Sequence, residues 1–366
     1  MLDVFNLVIP FFGLIFIGFI VAKFSRQPVE ALGWVNVFII YVALPALFFK
    51  LISETPIEQL ASWRFVLTTT LSTFLIFLSM FALAMRLTRG NIAESTIQGL
   101  AASYGNIGYM GPGLALLALG PAASVPVALI FCFENALHFA VAPTMMALSG
   151  RDSRGKAVLA LEVVKKIVTH PFMIATFAGI VAAASGFRPV EPVARLIAYL
   201  SNAAAPCALF AMGVSMALRP LRRVPRELFV LVPVKLAVQP ALVYLLLSWT
   251  GDFPPVWVFT AVLMAGLPTA TNVFVLAQQY QVWTERASAA VLTSTTASVV
   301  TVTLLLYAIT KGYLPRRPVS GLNKQCTQTR TGAQSLAHEN SPQGRNGCEE
   351  AKADAARELH GQKVGQ

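Results

Sequence analysis

A run of about twenty mostly apolar residues, enough for a helix to cross the hydrocarbon core of a bilayer, recurs ten times along this chain. The runs fall near 4–22, 32–52, 65–85, 96–119, 123–148, 165–186, 193–217, 228–249, 256–280 and 287–311. The joins between them are short and carry Gly, Pro, Asn or charge. Helices that are apolar all round have no face to offer water. Charged residues make up only 12% of the sequence against 56% hydrophobic, where a soluble domain carries roughly 25% charged. The sequence therefore predicts an all-α polytopic membrane protein with the lipid bilayer as its solvent.

The net charge of +11 predicts no nucleic-acid partner, because the basic residues are scattered and form no basic face. Their distribution reports topology instead. The odd-numbered joins hold fourteen of them: Lys23, Arg26, Arg86, Arg89, Arg151, Arg154, Lys156, Lys165, Lys166, Arg219, Arg222, Arg223, Arg226 and Arg286. The even-numbered joins hold four: Lys50, Arg64, Arg188 and Arg195. Ten spans with the N-terminus outside put the richer set in the cytoplasm. Lys311, Arg316 and Arg317 after the last run point the other way and leave an odd number of spans open. Asp3 precedes the first run and Lys23 and Arg26 follow it, the reverse of a cleavable signal. A retained first helix in the cell membrane is expected. Residues 313–366 are polar and poor in large apolar groups, so a disordered tail is expected there. Cys132 and Cys207 lie in apolar runs and Cys326 and Cys348 in the tail; no spacing implies a metal, and no cofactor is implied.

A shift of 161 residues lays one half of the chain on the other. Pro10 meets Pro171, Phe11 meets Phe172, Gly18 meets Gly179, Pro45 meets Pro206, Phe49 meets Phe210 and Gly105 meets Gly266. The shift pairs runs one to five with runs six to ten. Five is odd, so the second copy enters the membrane from the opposite side. The domain reading is a first repeat at 1–150, an inverted repeat at 151–312 and the tail. Inverted repeats of this kind build many secondary transporters.

Two runs are interrupted mid-span, by GNIGYMGP at 105–112 and by GLPTATN at 266–272. Gly and Pro weaken or remove helical hydrogen bonds, and freed backbone groups must be buried in protein or line a cavity. One reading is a pair of ordinary proline kinks. The other is a pair of broken helices crossing near the midplane, whose half-helix N-termini suit an anion. Under that reading Asn106, Gly108, Pro112, Pro268, Thr269, Thr271 and Asn272 form the substrate site.

These two runs, ALPALFF at 43–49 and the five-plus-five plan resemble the auxin efflux carrier family, including its bacterial malonate-carrier-like members. The resemblance covers about residues 1–312. It implies a ten-helix fold like that of the PIN-FORMED carriers and bile-acid sodium symporters, with crossing helices 4 and 9 at the substrate site. It also implies that Asn106, Pro112 and Pro268 are crossover residues.

Glu134 and His138 lie four apart in the fifth run and so share a helix face, with Asn135 beside them. An intramembrane carboxylate faces a cavity or a partner. The pair is read either as a proton-coupling group or as a structural hydrogen bond between helices. Lys235 in PVKLAVQP either snorkels to the surface or points inward as a counter-charge. The leading function is a secondary carrier of a small organic anion, malonate or another short carboxylate, working by alternating access. H⁺ and Na⁺ both stay open as coupling ion, and a homodimer is an open partner. A receptor or scaffold, or an intramembrane enzyme, is the alternative. No catalytic residue is expected: Asp3, Asp152 and Asp252 lie at segment ends, and H-E-x-x-H and G-x-S-x-G are absent, which disfavours an enzyme. Reporter fusions in the 150–165 join should read cytoplasmic and fusions near Gly251 external; finding both on one side would refute the inverted plan.

Overall fold

The computed structural model describes residues 2–25, 27–28, 31–150, 156–218 and 224–314. The expected tail from residue 315 on, with Cys326 and Cys348, lies outside the described residues. The longer helices are α1 (Leu2–Ser25), α2 (Leu32–Ser53), α3 (Trp63–Leu87), α4 (Ile92–Ser103), α5 (Gly111–Leu119), α6 (Ser124–Leu148), α7 (Lys156–Val168), α8 (Pro171–Ser185), α9 (Glu191–Leu218), α10 (Leu228–Thr250), α11 (Pro255–Ala265), α12 (Thr271–Gln279) and α13 (Thr284–Thr310). Among the described residues seven apolar helices are long enough to cross a membrane, and no strand is present beyond one isolated bridge. The chain is a multi-pass, all-helical membrane protein. The other apolar helices are shorter: α8 and α11, and the pieces of the two interrupted runs.

The sequence sets several of these boundaries directly. α4 opens at Asn91, whose side chain accepts the Glu94 N–H at 3.1 Å, an N-cap that satisfies one of the first orphan donors. The sixth run was expected to begin near 165, but a separate helix, α7, occupies 156–168 and the chain breaks at His170. The cause is Pro171. A residue before proline is pushed out of the helical region, and His170 is extended, with φ −67° and ψ 134°. Two wide π turns, Ile39–Ala43 and Val234–Val238, interrupt α2 and α10. Each ends two residues before a proline, Pro45 or Pro240. The ring of such a proline collides with the carbonyl four residues earlier, and widening the turn relieves the collision.

Packing sorts the helices into two groups. α1, α2, α8 and α9 pack chiefly on one another, while α3, α4, α6 and α10 to α13 form the second set. Within the first group backbones approach closely at glycines. A Cβ on Gly18 would lie 2.2 Å from the Phe210 carbonyl oxygen, and one on Gly213 would lie 1.9 Å from that of Ile15. A Cβ on Gly179 would meet Ile52 at 2.9 Å and the Phe49 carbonyl at 3.2 Å. Small residues allow this approach where lipid supplies no hydrophobic drive between helices.

Polar contacts between joins keep the odd and even sets apart. Arg286, at the start of α13, donates to Glu94 at 3.2 Å and to Glu227, just before α10, at 2.9 Å. Those three residues flank the third, seventh and ninth joins. Arg64 donates to the Thr250 carbonyl, and Arg188 donates to the Ser53 carbonyl at 2.8 Å; these lie beside the second, sixth and eighth.

Gly213→Ala should lower stability by about 1–3 kcal/mol, the usual cost of overpacking, because backbone lies where the methyl must go. Gly13→Ala, in the same packing group, has no neighbouring atom within 4 Å of its Cβ and should leave the thermal midpoint level or slightly raised. Thermal unfolding of both variants in detergent checks this.

Candidate functional site

The two interrupted runs meet. Gly105 and Thr269 form an antiparallel bridge, flanked by hydrogen bonds from the Asn106 N–H to the Pro268 carbonyl (2.7 Å) and from the Ala270 N–H to the Tyr104 carbonyl (2.9 Å). Backbone groups freed by the breaks are thus satisfied by each other, as an apolar surrounding requires. The close approach needs glycine: a Cβ on Gly105 would lie 3.2 Å from Lys235 Nζ, and one on Gly111 would lie 2.7 Å from Met264 Sδ.

The four half-helix ends at this crossing are treated differently. The carbonyl ends, α4 and α11, are capped from within the protein. Thr269 Oγ1 donates to the Ala101 carbonyl at 2.8 Å, Gln239 Nε2 to that of Ser103 at 3.0 Å, and Lys235 Nζ to that of Ala265 at 2.6 Å. An ammonium at the C-terminus of α11 complements the negative end of the helix dipole. The N–H ends, which lead into α5 and α12, stay open. The backbone N–H groups of Ile107, Gly108, Thr271 and Asn272 donate to no group among the described residues. Gly108, Thr271 and Asn272 line a cavity of about 210 Å³.

The cavity wall also includes Tyr104, Gly105, Asn106, Tyr109, Asn135, His170 and Gln279, with Phe131, Phe139 and Phe172 among its apolar members. Of the seven expected substrate residues, Asn106, Gly108, Thr271 and Asn272 therefore face this space. Pro112, Pro268 and Thr269 do not: Pro112 is buried in the first turn of α5, the Pro268 carbonyl is taken by Asn106, and Thr269 donates its hydroxyl to the Ala101 carbonyl and its N–H to Ser294 Oγ of α13. Asn106 is partly engaged too. Its Nδ2 donates to Met212 Sδ at 3.1 Å, and its Oδ1 accepts the Tyr109 N–H at 3.4 Å.

The ionisable trio lies behind the wall. Glu134, His138 and Lys235 are all buried, and none lines the cavity. The Tyr104 ring covers His138, stacked at 4.0 Å and 7°. Its hydroxyl donates to Asn135 Oδ1 (2.5 Å) and accepts from Asn272 Nδ2 (2.9 Å), so one phenol ties the cavity to the helix that carries Glu134. Lys235 does not snorkel: fully buried, it donates to Gln239 Oε1 at 2.7 Å as well as to Ala265. Gln239 Nε2 reaches Thr73 Oγ1 at 3.4 Å, and Thr73 donates to Glu134 Oε1 at 2.9 Å. Lys235 and Glu134 are thereby joined through a glutamine and a threonine. His138 Nδ1 pairs with the Glu134 carbonyl at 2.6 Å, a bond within one helix, and its Nε2 lies 3.4 Å from Ser103 Oγ.

Comparison with known proteins gives the family. A family model described as "Membrane transport protein" matches residues 3–146 and 134–306. The chain belongs to that family. The expected kinship with the auxin efflux carriers is thereby met. A relative from Rhizobium meliloti (strain 1021), named "Putative malonate transporter", is 58% identical over 315 residues, which cover 86% of this chain and 98% of the relative. In this transport family member, sequence reasoning passed over Tyr104, Tyr109, His170, Gln239, Gln279 and Thr73. Gln239 was within reach, four residues after Lys235 and hence on its face; Thr73 carries no local signal.

Tyr104→Phe removes a buried hydroxyl and leaves Asn135 and Asn272 each short of a partner, at a cost of about 1–3 kcal/mol. Asn135→Ala should cost much the same alone. The double variant should fall short of the sum by about 1 kcal/mol, the sign of a direct contact, when thermal unfolding is compared across the cycle.

Proposed function

We propose that this membrane transport protein is a secondary active carrier of a small organic anion, malonate or another short carboxylate, that works by alternating access. The observation that carries the reading is the asymmetry at the crossing. The carbonyl ends of the half-helices are consumed by Lys235, Gln239 and Thr269, while the N–H ends open on the cavity with Asn106 and Asn272 beside them. Half-helix N-termini concentrate partial positive charge and free donors, the arrangement that suits a carboxylate in a membrane. The malonate in the relative's name agrees with that chemistry.

Ten spans follow if each broken pair counts as one crossing and α8 as a short one. Contacts that join odd joins with odd and even with even favour that count. The inverted repeat at 1–150 and 151–312 gains support from the glycines. Gly18 of α1 abuts Phe210 of α9, and its mate under the 161-residue shift, Gly179 of α8, abuts Phe49 of α2, the mate of Phe210. We place the N-terminus outside the cell membrane and the 313–366 tail outside the transport machinery. The two packing groups supply bodies that can move against each other about the crossing. Proton coupling is assigned to Glu134, which faces Thr73 and, through Gln239, Lys235. Its ionisation would cancel the one buried positive charge near the anion site among the described residues, and its protonation would restore it.

Counterflow of labelled malonate in proteoliposomes tests the carrier reading. Wild-type protein should exchange it. Asn106→Ala should weaken equilibrium binding about ten- to a hundredfold, as loss of a hydrogen bond to a charged group predicts. Glu134→Gln should keep exchange and lose pH-driven accumulation. Absence of exchange with every short mono- and dicarboxylate would refute the carrier, and unchanged pH-driven accumulation would return Glu134 to a structural role.

A further inference from the structure

The cavity has two kinds of wall. The crossing and α6 contribute Tyr104, Asn106, Gly108, Tyr109, Asn135 and Asn272, all from the helix group that holds the breaks. The other group contributes Ile40, Leu44, His170 and Phe172. His170 is the single polar side chain among those four. Among the described lining residues there is no Lys, Arg, Asp or Glu, so His170 is the wall residue able to carry a positive charge.

Its position is fixed by the chain around it. Pro171 holds the His170 backbone extended at the entrance to α8. The imidazole ring lies 4.2 Å from the Phe172 ring and 5.4 Å from that of Phe139, and both phenylalanines also line the cavity. Aromatic neighbours limit the ring's freedom and exclude water, which strengthens any hydrogen bond it makes.

A dicarboxylate brings two negative groups into this space. The open N–H groups at the crossing can serve one of them. On the wall of the other helix group the second would otherwise meet Ile40, Leu44 and Phe172, and an unpaired charge against such a wall is strongly disfavoured. An imidazole donates a ring N–H to a carboxylate whether neutral or protonated, and adds charge when protonated. We infer that His170 reads the second carboxylate of a short dicarboxylate whose first carboxylate is held at the crossing of the broken helices. The assignment rests on the carrier reading and makes His170 the residue that separates dicarboxylates from monocarboxylates. A substrate so held touches both helix groups at once.

The test compares malonate with malonamate, which has nearly the same size but replaces one carboxylate by an uncharged amide. Binding to the purified full chain is measured by calorimetry. The wild type should prefer malonate by about tenfold or more, the worth of one charge-assisted hydrogen bond. His170→Phe, which keeps an aromatic ring and removes the N–H donors, should weaken malonate about ten- to a hundredfold, weaken malonamate far less, and so erase the preference. Equal weakening of both ligands, or a preference that survives the substitution, overturns the assignment. So does a wild type that binds both equally, a result that needs no variant to fold. Failure of the wild type to bind malonate, malonamate, succinate or acetate at all would instead remove the carrier reading, and this inference with it.

Discussion

Two backbone hydrogen bonds, Asn106 N–H to the Pro268 carbonyl and Ala270 N–H to the Tyr104 carbonyl, decide most of what surrounds them. In a bilayer each unpaired peptide group costs several kcal/mol (roughly 2–7 by transfer measurements). A helix broken inside the membrane must therefore find partners. Here the two breaks partner each other, which forces the segments to cross and brings four helix ends to one point. The remaining orphan carbonyls then require donors, and Thr269, Gln239 and Lys235 meet that need. What stays open is a set of N–H groups, and it is there that we propose the anion binds.

Lys235 shows how far this logic reaches. An ammonium with no exposed surface is tolerable only when paired and hydrogen-bonded. The carbonyl end of α11 and the Gln239 side chain supply two acceptors, and Thr73 extends the network to Glu134. The wide turn Val234–Val238, imposed by Pro240, contains Lys235 itself. A packing constraint on a proline and the placement of a buried charge are thus one local event. Tyr104 completes the arrangement, because its ring covers His138 while its hydroxyl joins Asn135 and Asn272 in the cavity wall.

The helix group without breaks solves a different problem. Its members have few polar groups to hold them together, so they rely on backbone approach at Gly18, Gly179 and Gly213. Close van der Waals contact replaces the hydrophobic drive that lipid cannot provide. The result is a packed body of α1, α2, α8 and α9 that offers the cavity a mostly apolar wall, with His170 as its polar member.

The sequence by itself determined the helical class, most of the long apolar helices and the two interruptions, because in lipid hydropathy and chain length dominate and both are local properties. It also marked Asn106, Gly108, Thr271 and Asn272, since glycine and proline in mid-span advertise a break. It could not say which of the marked residues face the cavity. Pro112, Pro268 and Thr269 carry the same local signature yet lie outside the cavity wall. The direction of Lys235 was equally undecided, because snorkelling and inward pairing need the same residue at the same depth. Thr73 and His170 lay outside any motif, and their roles arise from helices distant in sequence. Those choices depend on which donor meets which acceptor across the bundle, and only tertiary structure fixes such pairs.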